Sequence, residues 1–532
     1  MLEADYVIVG GGSAGCVLAN RLSASSPVQV ALLEAGKEPP GLLGSMPAGF
    51  FALMGSKRDW QYKAEPDSFI RNKVIPASSG KMLGGSSSIN GQVYIRGIRS
   101  DYDGWSGAGC MGWSFDEVLP YFIRSETYVG PISPVHGSEG PLTVSPPRVS
   151  HPIAAVFVDA CGEAGVPKLD EYCGGDQFGA FLSLTTMKNG ERASTARAYL
   201  DPARARPNLQ ILTDCMVDKL VIENERVVGV EYRQGANRVE IRARREVILS
   251  AGAISSPAIL MRSGIGPGET LSKSGIVTRL HVAGVGQNLQ EHPVVGISKQ
   301  VNIPTYNTQL GPINLLRSLI QYLRSRQGML TTSANQAMAC FKTRSDLKDP
   351  DMQISFVPLA IDFTGSKPAL AKKPGVYMAA NPLRPYSRGT ITLRSKDPQD
   401  LPVIDYRLLS DARDAEAMVQ GCRIIEKIFA QPAFAKYLIG PLSPLKPLTE
   451  DRQWQDWIPD NIGIGYHAAG TCSMGAGDNA VVDSRLRVIG LKGLRVIDAS
   501  IMPTLPSANT NAPTIMIAEK GAQMIGEDWG DA

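Results

Sequence analysis

The sequence predicts a mixed α/β fold, α/β in its first part and α+β overall, in which that part is interrupted by a second lobe built on a mostly antiparallel sheet flanked by helices. Three observations carry this. The first 36 residues read as one β-α-β unit, a glycine turn joins its first strand to its helix, and the patterning changes character between about 298 and 477. At 532 residues the chain is also too long for one compact core, since domains hold roughly 100 to 200 residues each.

Residues 6–9, Tyr-Val-Ile-Val, form an apolar, β-branched strand; 13–23 follow as a helix and 28–33 as the second strand. Residues 217–222 and 227–232 read as paired strands, with Asn224-Glu225 as the turn between them. A strand at 246–250 runs into the small-residue stretch Ala251-Gly252-Ala253. In the inserted region, Gln353-Ile354-Ser355-Phe356-Val357 and Gly389-Thr390-Ile391-Thr392-Leu393 alternate, which predicts an antiparallel sheet with one exposed face. Residues 411–430 make an amphipathic helix. A short buried strand at 494–498 precedes a polar loop and a closing helix from about Asn511. The expected division is 1–155, 200–297 and 478–532 for the nucleotide-binding domain, and 156–199 with 298–477 for the substrate domain.

Composition excludes several classes. Lys and Arg number 54 against 51 Asp and Glu, so nothing predicts a nucleic-acid footprint. Eight cysteines never come closer than twelve positions, which leaves no redox pair or zinc knuckle and points to buried thiols in a reducing compartment. The chain enters a strand almost at once, with no leader pattern ahead of it, and lacks an apolar run long enough to span a bilayer. The expectation is a cytoplasmic protein, peripheral to the inner membrane if it meets a membrane at all.

Gly10-Gly11-Gly12-Ser13-Ala14-Gly15 fits G-x-G-x-x-G in the required strand-to-helix context. Gly10 serves the tight turn, Gly12 lets backbone approach a pyrophosphate, and Gly15 lets helix pack on strand. The pyrophosphate would meet free N–H groups at the helix start, beside Ser13 and Ala14. Glu34 closes the second strand, where a carboxylate accepts hydrogen bonds from a ribose and disfavours a 2′-phosphate. This Rossmann-like motif leaves NAD and FAD both open.

Further stretches resemble the glucose–methanol–choline (GMC) oxidoreductase family. Gly80-Lys81-Met82-Leu83-Gly84-Gly85-Ser86-Ser87-Ser88-Ile89-Asn90, continuing through Tyr94, Gly97 and Asp103, is similar to its first motif. Gly252-Ala253-Ile254-Ser255-Ser256-Pro257 to Gly266 is similar to its second, and Gly284-Val285-Gly286-Gln287-Asn288-Leu289-Gln290-Glu291-His292 to its next landmark. His467-Ala468-Ala469-Gly470-Thr471, and Asp498-Ala499-Ser500 to Asn511-Ala512-Pro513-Thr514, resemble its active-site region.

The resemblance implies FAD. It places Ala35, Met82, Gly84, Gly85, Ser86, Asn90, Gly91, Val93, Ala251 and Gly252 about the cofactor, and puts Val217 on the adenine. Asp498 and Ala499 fall near the ribityl and phosphates, and Asn511, Ala512 and Thr514 at the pyrimidine end. Some members attach FAD through a histidine at the end of the first motif. Asn90 stands there and cannot form that bond, so the flavin is expected to be non-covalent.

Oxidising an alcohol needs a hydride acceptor and a base for the hydroxyl proton. His467 falls where the family's base falls, among Gly463, Gly465, Ala468 and Gly470. Asn511 falls at the second catalytic place, where a carboxamide orients the substrate oxygen. His292 is read as structural or as a neighbour of the cofactor, His136 as a loop residue, and His151 and His281 as bystanders. No metal site is expected, and no G-x-S-x-G elbow supports a hydrolase.

The expected reaction is oxidation of a primary alcohol, on a sugar, polyol or small neutral molecule with L-sorbose favoured, and with a quinone or another carrier as acceptor. The alternatives are an oxidase of the aryl or furfuryl alcohol type that uses O2, a choline-type dehydrogenase, and more remotely an FAD-containing lyase.

Overall fold

The computed structural model describes residues 2–333, 335–362 and 369–530. Its first sheet grows from the apolar runs read above. β1 (Leu2–Val9) and β2 (Val30–Leu33) run parallel with Tyr6 opposite Val30, and α1 (Ser13–Leu22) connects them. All four residues of β2 are buried, as expected for a strand covered on both faces. β3 (Leu209–Leu212) extends the sheet beyond β2. A hairpin of β4 (Cys215–Glu223) and β5 (Arg226–Gln234) turns at Asn224 and Glu225, both at positive φ, which suits the twist of paired strands.

The 13-residue β6 (Asn237–Leu249) ties these parts together. Its first half pairs antiparallel with β5, and its second half lies parallel between β1 and β13 (Leu494–Val496). The carboxyl ends of β1, β2, β6 and β13 therefore share one edge. Gly10, Glu34, Ser250 and Asp498 follow them, which is where open parallel sheets bind ligands. α3 (Gly252–Arg262) and the closing α6 (Asn511–Trp529) begin at the same edge.

The second sheet is antiparallel throughout. Its order is β8 (Ala337–Phe341), β9 (Met352–Val357), β10 (Gly375–Pro382), β7 (Pro293–Val301) and β11 (Leu438–Ser443), with the two-residue β12 (Gly463–Ile464) also on β7. α2 (Pro152–Glu163) and α5 (Ala412–Phe429) pack against it. α4 (Pro312–Ser325) stands apart from it.

Two expectations for this lobe are corrected. The sheet is covered on both faces at β8, buried at every residue, and at β10, buried at all but one, and only its edge strand β11 keeps alternate residues exposed. The segment around 389–393 is not one of its strands. Thr390–Thr392 pairs as a strand with Val403–Asp405, while Gly389 N donates to Leu289 O at 2.8 Å and Ile391 N to Gly286 O at 2.7 Å. Those bonds pin it against the 284–292 turn. Asp411 caps α5 by accepting from Arg413 N, as its position before an amphipathic run suggests.

Candidate active site

One elongated cavity runs along the shared edge, from Glu34 and Val217 at one end to Tyr466, His467 and Asn509 at the other. Three helices open onto it. Neither α1 nor α6 has a side-chain N-cap, so their first N–H groups are free to face an anion. The two starts are joined directly, with Ser13 Oγ donating to Asn511 Oδ1 at 2.9 Å. A Cβ on Gly15 would lie 1.9 Å from Gly10 O, which is the tight helix-on-strand contact the motif requires. A Cβ on Gly12 would meet nothing closer than 3.9 Å, so the space above Gly12 is open. Free helix N-termini over an open glycine fit a pyrophosphate.

Most of the residues expected around a cofactor line this cavity: Gly10, Gly12, Ser13, Ala14, Glu34, Ala35, Gly85, Ser86, Asn90, Gly91, Val93, Val217, Ala251, Gly252, Asp498, Ala499, Asn511 and Thr514. Four lie behind the wall. Gly15 packs beneath the turn, and Met82 is buried with Leu53 and Ile89. Gly84 caps the 85–88 turn at φ +84°, and Ala512 is buried within α6.

Several side chains do more than the sequence suggests. Glu34 accepts from Gly11 N at 2.8 Å and Gly36 N at 2.7 Å, and burial pushes its carboxyl up to about 7 against those bonds. Asp498 accepts from Gly252 N at 2.8 Å, Ser256 Oγ at 2.6 Å and Ser500 N at 2.8 Å, tying α3 to the end of β13. Asn90 Oδ1 accepts from Arg192, whose buried guanidinium also reaches the carbonyls of Ser87 and Pro47. No carboxylate is among these contacts, and burial lowers the Arg192 pKa to about 9. Sequence reading missed Arg192, because nothing local marks an arginine that folds under the 80–90 turn.

The chemistry concentrates at His467. The carboxamide on it is Asn509, with Nδ2 2.9 Å from His467 Nε2. This corrects the expectation that Asn511 is the partner. The chain turns into α6 at Thr510 (φ −73°, ψ −6°), so residues two apart face different groups, and Asn511 receives Ser13 instead.

The other ring nitrogen meets His292, with the two Nδ1 atoms 2.8 Å apart and the rings at 84°. His292 Nε2 lies 2.9 Å from Leu383 O, a carbonyl that can only accept, so Nε2 carries the hydrogen. His292 Nδ1 is then a bare acceptor, and His467 Nδ1 must donate to it. The remaining nitrogen, His467 Nε2, keeps its lone pair and accepts from Asn509. Hydrogen bonds alone assign the tautomer that a base needs.

Burial lowers the His467 pKa well below its ordinary value, with His292 adding to the effect, and brings His292 down to about 4. Both rings are neutral near pH 7. Glu291 fixes the loop by accepting from His467 N at 2.8 Å and His292 N at 2.9 Å, and burial raises it to about 8.

The other histidines lie elsewhere. His136, expected in a plain loop, stacks on Tyr128 at 3.8 Å and bonds to Glu126, which Arg96 also binds at 2.8 Å. With Glu171 and Cys173 it forms the one grouping of potential metal ligands among the described residues. Its Nε2 lies 3.1 Å from Glu171, so it sits between two carboxylates as an ion-paired network. His151 caps α2, accepting from Ile153 N at 3.2 Å, and His281 accepts from Gly268 N at 3.3 Å.

Comparison with known proteins bears on this geometry. The GMC oxidoreductase family models match residues 4–294 and 385–518. An oxygen-dependent choline dehydrogenase of Brucella melitensis is 39% identical over 528 residues, covering 98% of this chain and 96% of the relative. The crystal structure of pyridoxine 4-oxidase from Mesorbium loti superposes with a TM-score of 0.89 at 31% identity, covering 98% and 99% of the two chains. A formate oxidase structure gives 0.93 at 28% identity, with 100% and 99% covered.

Proposed function

The chain belongs to the GMC oxidoreductase family, an FAD-dependent family of enzymes acting on CH–OH donors, and from that premise we propose that it is a dehydrogenase oxidising a primary alcohol on a neutral molecule to the aldehyde. Bound FAD supplies a two-electron hydride acceptor. The residues that line the cavity and could hold it non-covalently are those of the glycine turn, the 85–93 segment, Val217, and the starts of α3 and α6.

In this reading the substrate hydroxyl takes the place of the Asn509 N–H at His467 Nε2, which then accepts the hydroxyl proton. Asn509 Nδ2 steadies the substrate oxygen, and His292 holds the imidazolium that forms through the His467 Nδ1–H. The observation that carries the proposal is this chain of bonds from Leu383 O to Asn509, which leaves one basic nitrogen facing the cavity.

Neutral substrates are favoured by charge. Glu291, the acid beside His467, is raised to about 8 and so holds its proton at neutral pH. It provides no fixed anion for a quaternary ammonium. Within neutral alcohols, a sugar or polyol such as L-sorbose is the specific expectation, and a quinone-like carrier the expected acceptor. A second reading, choline oxidation, is supported by the 39% identity to choline dehydrogenases.

Anaerobic mixing of the yellow protein with sugars, polyols, aryl alcohols and choline tests both. Bleaching by neutral alcohols but not choline supports the first reading, and bleaching by choline alone overturns it. Re-oxidation by O2 as fast as by a quinone-like dye would make the protein an oxidase.

A further inference from the structure

The helix α4 is packed the wrong way round for a soluble surface. Its exposed side carries Ile313, Leu316, Ile320 and Leu323, which are 69%, 58%, 42% and 52% exposed, while Ser318 and Tyr322 are turned inward. These four positions fall at i, i+3, i+7 and i+10, one continuous stripe along a helix about 21 Å long. A surface helix normally buries such a stripe, and a contiguous apolar patch of this kind marks an interaction surface.

The surroundings extend it. The Tyr322 hydroxyl sits beside Ser45, at the end of the Gly41–Ser45 turn, where Leu42 and Leu43 are exposed. The turn Met329–Thr331 after α4 packs on Pro47–Gly49, next to the exposed Phe51.

Charge decides what covers this face. From residue 292 to 345 the sequence contains no Asp or Glu. Arg317 and Arg324, both exposed, lie on the flank of the stripe, seven residues apart, and neither forms an ion pair among the described residues. The next arginine, Arg326, is already paired with Glu191 at 3.2 Å. A second copy meeting the stripe across a two-fold axis would bring these arginines against each other. An anionic surface would instead neutralise them while the four apolar side chains leave water. An apolar stripe flanked only by basic residues is the pattern of a helix lying in a lipid interface.

We infer that α4, with Leu42, Leu43 and Phe51, docks this protein on the surface of an anionic lipid bilayer. No helix among the described residues is long and apolar enough to cross one, so the attachment is peripheral and reversible. Docking there would set one wall of the cavity toward the headgroups. Phe50 lines the cavity, and its ring stacks on that of Phe51 at 4.0 Å.

Flotation of the holoenzyme with vesicles of phosphatidylcholine alone, or containing phosphatidylglycerol, tests the inference. Binding should be about tenfold or more tighter to the anionic vesicles and should weaken in high salt. Leu316→Glu with Ile320→Glu should abolish binding to both while keeping the flavin spectrum and dye-linked turnover. Arg317→Gln with Arg324→Gln should remove only the anionic preference. Equal binding to both vesicles, no binding to either, or loss of preference in neither variant overturns the inference. So does a holoenzyme dimer in sedimentation that Leu316→Glu dissociates, which would assign the face to a second copy.

Discussion

At the scale of single residues, the working unit is a run of four groups that fixes one proton. Leu383 O holds the hydrogen of His292, His292 holds that of His467, and Asn509 meets the nitrogen left bare. His467→Ala should keep fold and FAD and slow flavin reduction by roughly two to four orders of magnitude; stopped-flow absorbance checks this. His292→Leu removes the acceptor that selects the tautomer. It should lower the reduction rate about ten- to hundredfold with little change in substrate affinity. Nitrogen-15 NMR of the His467 ring should then report a mixture of tautomers in place of one, and an unmixed Nδ1–H form would remove His292 from the role. The sequence alone identifies His467 because its motif is local. It does not identify Asn509 or His292 as its partners, because those contacts span 42 and 175 residues and exist only once the chain has folded.

At the scale of elements, the β-α-β start was legible in its order, its turn and its helix, since these are written in adjacent positions, while β1 begins four residues before the expected strand and β2 two residues after it. The same holds for the Asn224-Glu225 hairpin and for the start of α6. The alternation at 389–393 misled because period two says only that a segment is extended, not which strand it pairs with. The glycine turn gives a sharp contrast between two substitutions. Gly15→Ala drives a methyl into Gly10 O and should yield little folded protein. Gly12→Ala, with φ −79° and open space at the Cβ, should leave the apoprotein's Tm unchanged yet weaken FAD binding at least about tenfold. Fluorescence titration of the apoprotein with FAD separates the two effects.

Over the whole molecule, the buried acids set how stability depends on pH. Glu34 and Glu291 are raised from 4.5 to about 7 and about 8, so the folded state holds protons the unfolded chain has lost. Their contribution is present below pH 4.5 and lost as pH rises through 7 and 8. His292 acts oppositely, since its fall from 6.5 to about 4 costs stability only below pH 6.5. Between pH 6.5 and 8 the two acids act in the same direction as His136, whose pKa is held at about 11 against burial by Cys173, Glu126 and Glu171, and the apoprotein's Tm should fall across that window. Glu291→Gln should flatten part of the slope, as scanning calorimetry would register. The mixed α/β class with a parallel and an antiparallel sheet is legible in the pattern, whereas the inside-out packing of α4 is not, because an amphipathic sequence does not say which side meets protein.

The bond between Ser13 and Asn511 joins groups 498 positions apart. The two helix starts therefore come together only after both α1 and α6 have been made. A growing chain that carries the glycine turn still lacks the second helix start until Asn511 has been added. The Ser13–Asn511 contact is accordingly a long-range one, formed only when α6 docks beside α1.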